Sequence, residues 1–145
     1  MKFYIINGPS LNMLGVREPD KYGKKSYADL LGMLEEYAKS KGVTLEFYQS
    51  NHEGDLVDYI QKAYYEGADG IVLNPGAYTH TSVALLDAVL AVALPTVEVH
   101  VSDLSVREDF RQISFVRSAC LQTISGHGFD GYTEALDLLI GHCAR

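Results

Sequence analysis

The sequence predicts an α/β domain, a parallel sheet held between two layers of helices, and three observations carry that expectation. Short runs rich in β-branched and aromatic residues alternate with stretches whose apolar residues recur at helical spacing. The alternation runs along the chain with no linker, low-complexity tract or internal repeat. Parallel neighbours in a sheet need crossovers of about a dozen residues or more, and the helical stretches are long enough to supply them.

Residues 2–6 (KFYII) read as the first strand, 43–49 (VTLEFYQ) as the second, 70–73 (GIVL) as the third, 96–99 (TVEV) as the fourth and 121–125 as the fifth. The first helix opens at Ser26, whose hydroxyl caps with Asp29 three residues on. It carries Leu30, Leu34, Tyr37 and Ala38 on its apolar face and stops at Gly42. The second spans about 55–66, with Leu56, Ile60, Ala63 and Tyr64 on one face, and the third runs over about 82–91. The last carries Leu136, Leu139, Ile140 and Cys143. Five strands suit a flavodoxin-like three-layer sandwich on a five-stranded parallel sheet.

The 145 residues, 47% hydrophobic and 21% charged, are expected to form one domain over 1–145. That length buries about two-thirds of the surface an unfolded chain exposes, so packing alone can hold a core. It is too short for a (β/α)8 barrel of about 250 residues. The formal net charge is −7, from 12 Lys+Arg against 19 Asp+Glu. With no basic run, nucleic acid is not an expected partner, although a local cationic pocket for a small anion is allowed. The N-terminal residues lack the apolar core and cleavage site of a signal peptide, and Cys120 and Cys143 are the two cysteines, so the cytoplasm is the expected compartment. No apolar stretch approaches the roughly 18 residues of a membrane span, and no membrane association is expected.

Two connections are longer than this architecture requires. Eighteen residues, 8–25, separate the first strand from the first helix, and the segment from His100 to about Ala119 is similarly long. Loops beyond about 12–15 residues in a compact domain are usually lids or sites. Both leave the carboxyl ends of strands, where open α/β sheets bind ligands at the point of order reversal.

The strand ends carry polar residues that a core does not ask for. Asn7 and Asn12 follow the first strand, Asn74 and then His80 the third, and Glu98, His100 and Ser102 the fourth. Asn7 and Asn74 read equally well as turn residues satisfying backbone groups and as ligand contacts, and His80 as an exposed loop side chain. Glu98 and His100 alternate on a strand and share a face, so the carboxylate can orient the imidazole. Arg17 and Tyr22 sit in the first long loop. A free tyrosine has a pKa of about 10, and lowering it by two units takes roughly 2.7 kcal/mol, part of which a guanidinium can supply. By itself such a pair reads as surface stacking.

Other patterns are set aside. The run 126–131 (GHGFDG) matches G-x-G-x-x-G but lacks the following strand and the acidic residue about 20 positions on, so a tight turn explains it. Residues 8–15 lack the Gly-Lys-Ser/Thr ending of a phosphate-binding P-loop. The five histidines have no metal-ligand spacing, and no metal site is expected.

Four segments in order, 6–23 (INGPSLNMLGVREPDKYG), 50–61 (SNHEGDLVDYIQ), 73–88 (LNPGAYTHTSVALLDA) and 97–115 (VEVHVSDLSVREDFRQISF), together resemble the type II 3-dehydroquinate dehydratases. The resemblance implies a cofactor-free anti elimination of water from 3-dehydroquinate, giving 3-dehydroshikimate through an enolate. The pathway it implies is the shikimate route to aromatic compounds or quinate breakdown. Matched position by position, Tyr22 is the base, Arg17 the cation that frees its phenolate, His100 the general acid and Glu98 its orienting partner. Asn12 helps hold the enolate's water or oxyanion partner. Asn74, the amides of Val101 and Ser102, and Ser102 itself hold substrate oxygens including the carboxylate, while His80 and Arg111 meet ring hydroxyls. Asp87 reaches a neighbouring subunit's site, since the resemblance also implies trimers assembled into a dodecamer. The chain departs from the family's common pattern at Ser10, at Leu86 and at Ser105-Val106. A non-catalytic flavodoxin-like module binding a small anion or nucleotide would share the fold, yet it gives no reason for a tyrosine, an arginine and a Glu-His pair to converge on one pocket.

Overall fold

The computed structural model describes residues 1–16, 20 and 24–145. Its sheet has five parallel strands, β1 (Lys2–Asn7), β2 (Thr44–Gln49), β3 (Gly70–Asn74), β4 (Thr96–His100) and β5 (Gln122–Ser125), in the order β2-β1-β3-β4-β5. Among the described residues, α1 (Tyr27–Lys41), α2 (Glu53–Tyr65) and α3 (Val83–Val92) each connect one strand to the next, and α4 (Asp130–Cys143) follows β5. The expected α/β fold and sheet are therefore present. From β1 the chain steps outward to β2 and then returns past β1 to β3, so the order reverses between β1 and β3.

Alternation along the strands makes two cores. Phe3, Ile5, Val72, Val97 and Val99 face Leu30 and Leu34 of α1 and Tyr132, Leu136 and Leu139 of α4. Tyr4, Ile6, Ile71 and Leu73 face Leu56 and Ile60 of α2 and Leu85 and Val89 of α3. Helices on both faces explain why the central strands read as unbroken apolar runs rather than strict alternation.

Helix α1 has the expected ends. Ser26 Oγ accepts from the Asp29 amide at 3.1 Å while Asp29 Oδ2 accepts from the Ser26 amide at 2.9 Å, a reciprocal capping box. Gly42 closes the helix at φ 68°, a conformation that costs a side chain but not glycine. The apolar face of α2 differs from expectation at Tyr64, which is 55% exposed. At 100° per residue, Ala63 returns to within about 20° of Leu56 whereas Tyr64 overshoots by about 80°, so Ala63 takes the core position. Tyr37 is also not a core residue: it is half-buried on α1, and its hydroxyl donates to Asp137 Oδ1 of α4. Among the described residues no helix is long and apolar enough to cross a membrane.

Candidate active site

A cavity of about 250 Å³ opens at the carboxyl ends of β1, β3 and β4, beside the point where strand order reverses and where open α/β sheets bind ligands. One wall is Pro9 to Leu11 and Leu14 after β1, a second is Asn74 to His80 after β3, and the third runs from His100 toward Arg111 after β4. Gly8 lets the first two walls meet: its amide donates to the Asn74 carbonyl at 2.7 Å, and a Cβ there would fall 2.4 Å from the Pro75 carbonyl oxygen.

Glu98 and His100 lie at the root of the third wall. Both side chains leave the same face of β4, and Glu98 Oε2 is 2.5 Å from His100 Nε2. Glu98 is 0% and His100 5% exposed. Burial pushes a carboxyl up, but bonds from His100, Thr79 and Ser114 together with the His100 charge outweigh it and hold Glu98 at about 2. An ionised carboxylate only accepts, so Nε2 carries the proton in this contact and Nδ1 is the ring atom left for a ligand. The pair expected from strand alternation is thus formed, with His100 lining the cavity.

The asparagines behave differently from one another. Asn74 lines the cavity; its Oδ1 accepts from the Gly76 amide at 3.0 Å and its Nδ2 donates to the Tyr132 hydroxyl at 2.9 Å. Tyr132, fully buried on α4, in turn donates to Asn7 Oδ1 at 2.6 Å. Asn7 is therefore engaged inside the fold, and only Asn74 reaches the cavity. Asn12 is exposed on the turn after β1, where its Oδ1 accepts from Gln49 Nε2 at 3.4 Å.

The outer wall is basic. His80 Nδ1 donates to the Ile113 carbonyl at 2.7 Å; burial pushes its pKa down, partly countered by that bond, and the charges of His100 and Arg111 add to the lowering. Arg111 Nε donates to Glu108 Oε2 at 2.7 Å. Arg107, which the sequence reading did not single out, lines the same wall with its side chain 7% exposed, and its Nη1 donates to Ser102 Oγ at 3.2 Å. Val101 and Ser102 complete this side. The lining among the described residues holds two arginines and two histidines and no carboxylate, although the whole chain is net −7. The local field there favours an anion, while Leu11, Leu14 and Leu104 give the cavity an apolar side for a carbon skeleton.

Asp87 is exposed on α3 and is not among the residues lining this chain's cavity. Arg17 and Tyr22 lie outside the described residues. Of the run 126–131, residues 126–129 form the turn between β5 and α4, with Gly126 and Gly128 at φ 86° and 59°, and Asp130 and Gly131 open α4. Four residues the sequence reading left without a role touch the candidate groups directly: Thr79, Ser114 and Thr123 on Glu98, and Tyr132 on Asn74. Hydroxyl residues carry no spacing signal for such a task; register does, since Thr123 pairs with Glu98 across β4 and β5.

Residues 1–140 match the family described as dehydroquinase class II. A protein named 3-dehydroquinate dehydratase from Rhodopseudomonas palustris (strain BisA53) is 53% identical, the match covering 92% of this chain and 88% of that one. Its namesake from Carboxydothermus hydrogenoformans is 50% identical over 100% of this chain and 94% of its own. The crystal structure of a type II dehydroquinase from Butyrivibrio crossotus superposes with a TM-score of 0.95 at 50% identity, covering 97% of each chain.

Proposed function

From the premise that this chain belongs to the class II dehydroquinases, we propose that it removes water from 3-dehydroquinate without a cofactor, giving 3-dehydroshikimate by anti elimination through an enolate. The single observation that carries this reading is the Glu98–His100 pair, 2.5 Å apart, at the root of a cavity walled by Arg107 and Arg111. An anionic substrate with a carbon ring suits that mixture of cationic and apolar lining.

Proton removal beside the ketone needs a base, and Tyr22, as phenolate, takes that proton; Arg17 keeps the phenolate available. The electron pair from the broken C–H bond makes the enolate, whose oxygen needs a partner, which Asn12 helps to hold. Expulsion of hydroxide is slow unless it is protonated as it leaves. His100 Nδ1 supplies that proton, so that the C–O bond breaks to release water, while Glu98 holds Nε2–H and stabilises the ring when it carries two protons. Base and acid then act on opposite faces of the substrate ring. Asn74 and the amides of Val101 and Ser102, with the Ser102 hydroxyl, hold substrate oxygens including the carboxylate, and His80 and Arg111 meet ring hydroxyls. Asp87, exposed on α3, serves a neighbouring subunit's site in a dodecamer of trimers. The reaction belongs to the shikimate route, with quinate breakdown as the alternative setting, in the cytoplasm.

The test is direct. Purified protein mixed with 3-dehydroquinate is expected to generate the ultraviolet absorbance of the conjugated product, and absence of turnover by folded, assembled protein rejects the reading. Tyr22→Phe and His100→Ala are each expected to lower kcat by about 10²-fold or more without altering assembly.

A further inference from the structure

Glu98 has more partners than the acid alone requires. Its Oε1 accepts from Thr123 Oγ1 at 3.0 Å and Ser114 Oγ at 3.0 Å. Its Oε2 meets His100 at 2.5 Å, Thr79 Oγ1 at 2.8 Å and Ser114 Oγ at 2.9 Å. The three hydroxyls arrive from three segments: the turn after β3, the chain leading out of the arginine-bearing loop, and β5. The contacts continue on either side of Ser114. Phe115 N donates to the Thr79 carbonyl at 2.8 Å, and the Ile113 carbonyl accepts from His80 at 2.7 Å. Three consecutive residues, 113 to 115, are thereby fastened to the Thr79-His80 turn and to Glu98.

We propose that Thr79, Ser114 and Thr123 are positioning residues for the acid: their hydroxyls hold Glu98 as the acceptor that fixes the His100 ring, and Ser114 seats the loop bearing Arg107 and Arg111 against the same carboxylate. This rests on the reading of His100 as the acid. The physical reason is acceptor balance. A carboxylate offers about four lone-pair sites, and one removed from water with a single imidazole donor would draw the Nε2 proton onto itself. With three hydroxyls also donating, the negative charge is solvated by the protein, the proton stays on Nε2, and the ring can still take and release a second proton at Nδ1. The ionisable groups facing this carboxylate are His100 on its own strand, His80 from the turn and the Cys120 thiol from the approach to β5. Burial, reinforced by the Glu98 charge and partly offset by a backbone hydrogen bond, pushes that thiol up to about 12, so it stays neutral.

The experiment compares Thr123→Val with Thr123→Ser and Ser114→Ala with Ser114→Thr. Thr123 touches Glu98 from β5 and carries none of the loop, so it isolates the effect on the acid. Thr123→Val is expected to lower kcat about tenfold with KM unchanged and to move the alkaline limb of the kcat–pH profile, where the acid loses its proton, up by roughly one unit; Thr123→Ser restores both. Ser114→Ala is expected to do the same and also to raise KM, because the loop loses its seat, with Ser114→Thr restoring the hydroxyl. NMR titration of the His100 ring in histidine-labelled protein, without substrate, is expected to differ between wild type and Thr123→Val and to return in Thr123→Ser. A Thr123→Val enzyme with wild-type kcat, limb and His100 titration overturns the proposal, as does a loss that serine fails to restore. If the wild type itself does not turn over 3-dehydroquinate, the functional reading fails, while the titration still decides the role of the hydroxyls.

Discussion

Asn74 and Tyr132 are 58 residues apart in sequence, yet Asn74 Nδ2 donates to the Tyr132 hydroxyl at 2.9 Å. The hydroxyl in turn donates to Asn7 Oδ1 at 2.6 Å, so the carboxyl ends of β1 and β3 are tied through a phenol from α4. Burial pushes the Tyr132 pKa well up, only partly offset by the Asn74 bond, and keeps the phenol neutral as a donor.

Tyr132→Phe preserves the ring and its packing but leaves Asn7 Oδ1 and Asn74 Nδ2 without this partner. An unpaired buried polar group costs about 1–3 kcal/mol, so the chemical-unfolding midpoint is expected to fall at unchanged m-value. Because Asn74 lines the cavity, kcat/KM is expected to drop as well. Asn7→Ala, which touches the same phenol but not the cavity, is expected to lower stability with a smaller kinetic effect.

Glu98 makes stability depend on acid. Its folded-state carboxyl titrates at about 2 against an ordinary 4.5, so the native form binds a proton less readily than the unfolded chain. Its contribution is whole above about pH 4.5 and is lost as pH falls through that window toward 2. Urea unfolding between pH 7 and 3 is expected to show the wild type losing stability below pH 4.5 more steeply than Glu98→Gln. The same variant is expected to lower kcat by about 10²-fold, since the neutral amide does not stabilise a doubly protonated His100.

How far the sequence revealed this arrangement depends on whether the cause was local. The capping box at Ser26, the stop at Gly42 and the alternation that puts Glu98 beside His100 are decided within a few residues, and each is formed. Tyr64 misled because tyrosine counts as apolar in a periodicity argument, while at about 80° round the helix from Leu56 it lies outside the face that Leu56, Ile60 and Ala63 bury. Arg107 was missed because a second arginine in a long loop carries no spacing signal. Its proximity to Ser102 appears only when the loop folds back over β4. Thr79, Ser114 and Thr123 converge on one carboxylate from three segments, and tertiary structure alone brings them together.

The basic wall predicts a binding effect. Arg111 and Arg107 both lie near Glu108, with Arg111 Nε at 2.7 Å and Arg107 Nε at 3.7 Å from its Oε2. Arg111→Ala and Arg107→Ala are each expected to raise KM by about tenfold or more, since a charge-assisted hydrogen bond is worth roughly 1.5–3 kcal/mol. Steady-state kinetics at two salt concentrations checks this: added salt should raise the wild-type KM, and the arginine variants should respond less.

Among the described residues two non-glycine residues sit at positive φ, Ser10 at 69° and Ala93 at 53°. Ala93 closes α3 in the left-handed conformation, with its amide donating to the Val89 carbonyl at 3.2 Å. Its side chain is exposed, so Ala93→Gly removes the Cβ penalty and sacrifices little packing. A gain of about 1 kcal/mol in unfolding free energy is expected, read as a higher denaturant midpoint with kcat and KM unchanged. Ser10 bears the same backbone strain but lines the cavity, and its amide donates to Asn51 Oδ1 at 3.0 Å. Ser10→Asn, which tolerates that conformation better, is expected to raise stability by a smaller amount while changing KM. A stability gain at Ala93 accompanied by a kinetic change, or none at either position, would contradict the assignment of strain to these two backbones.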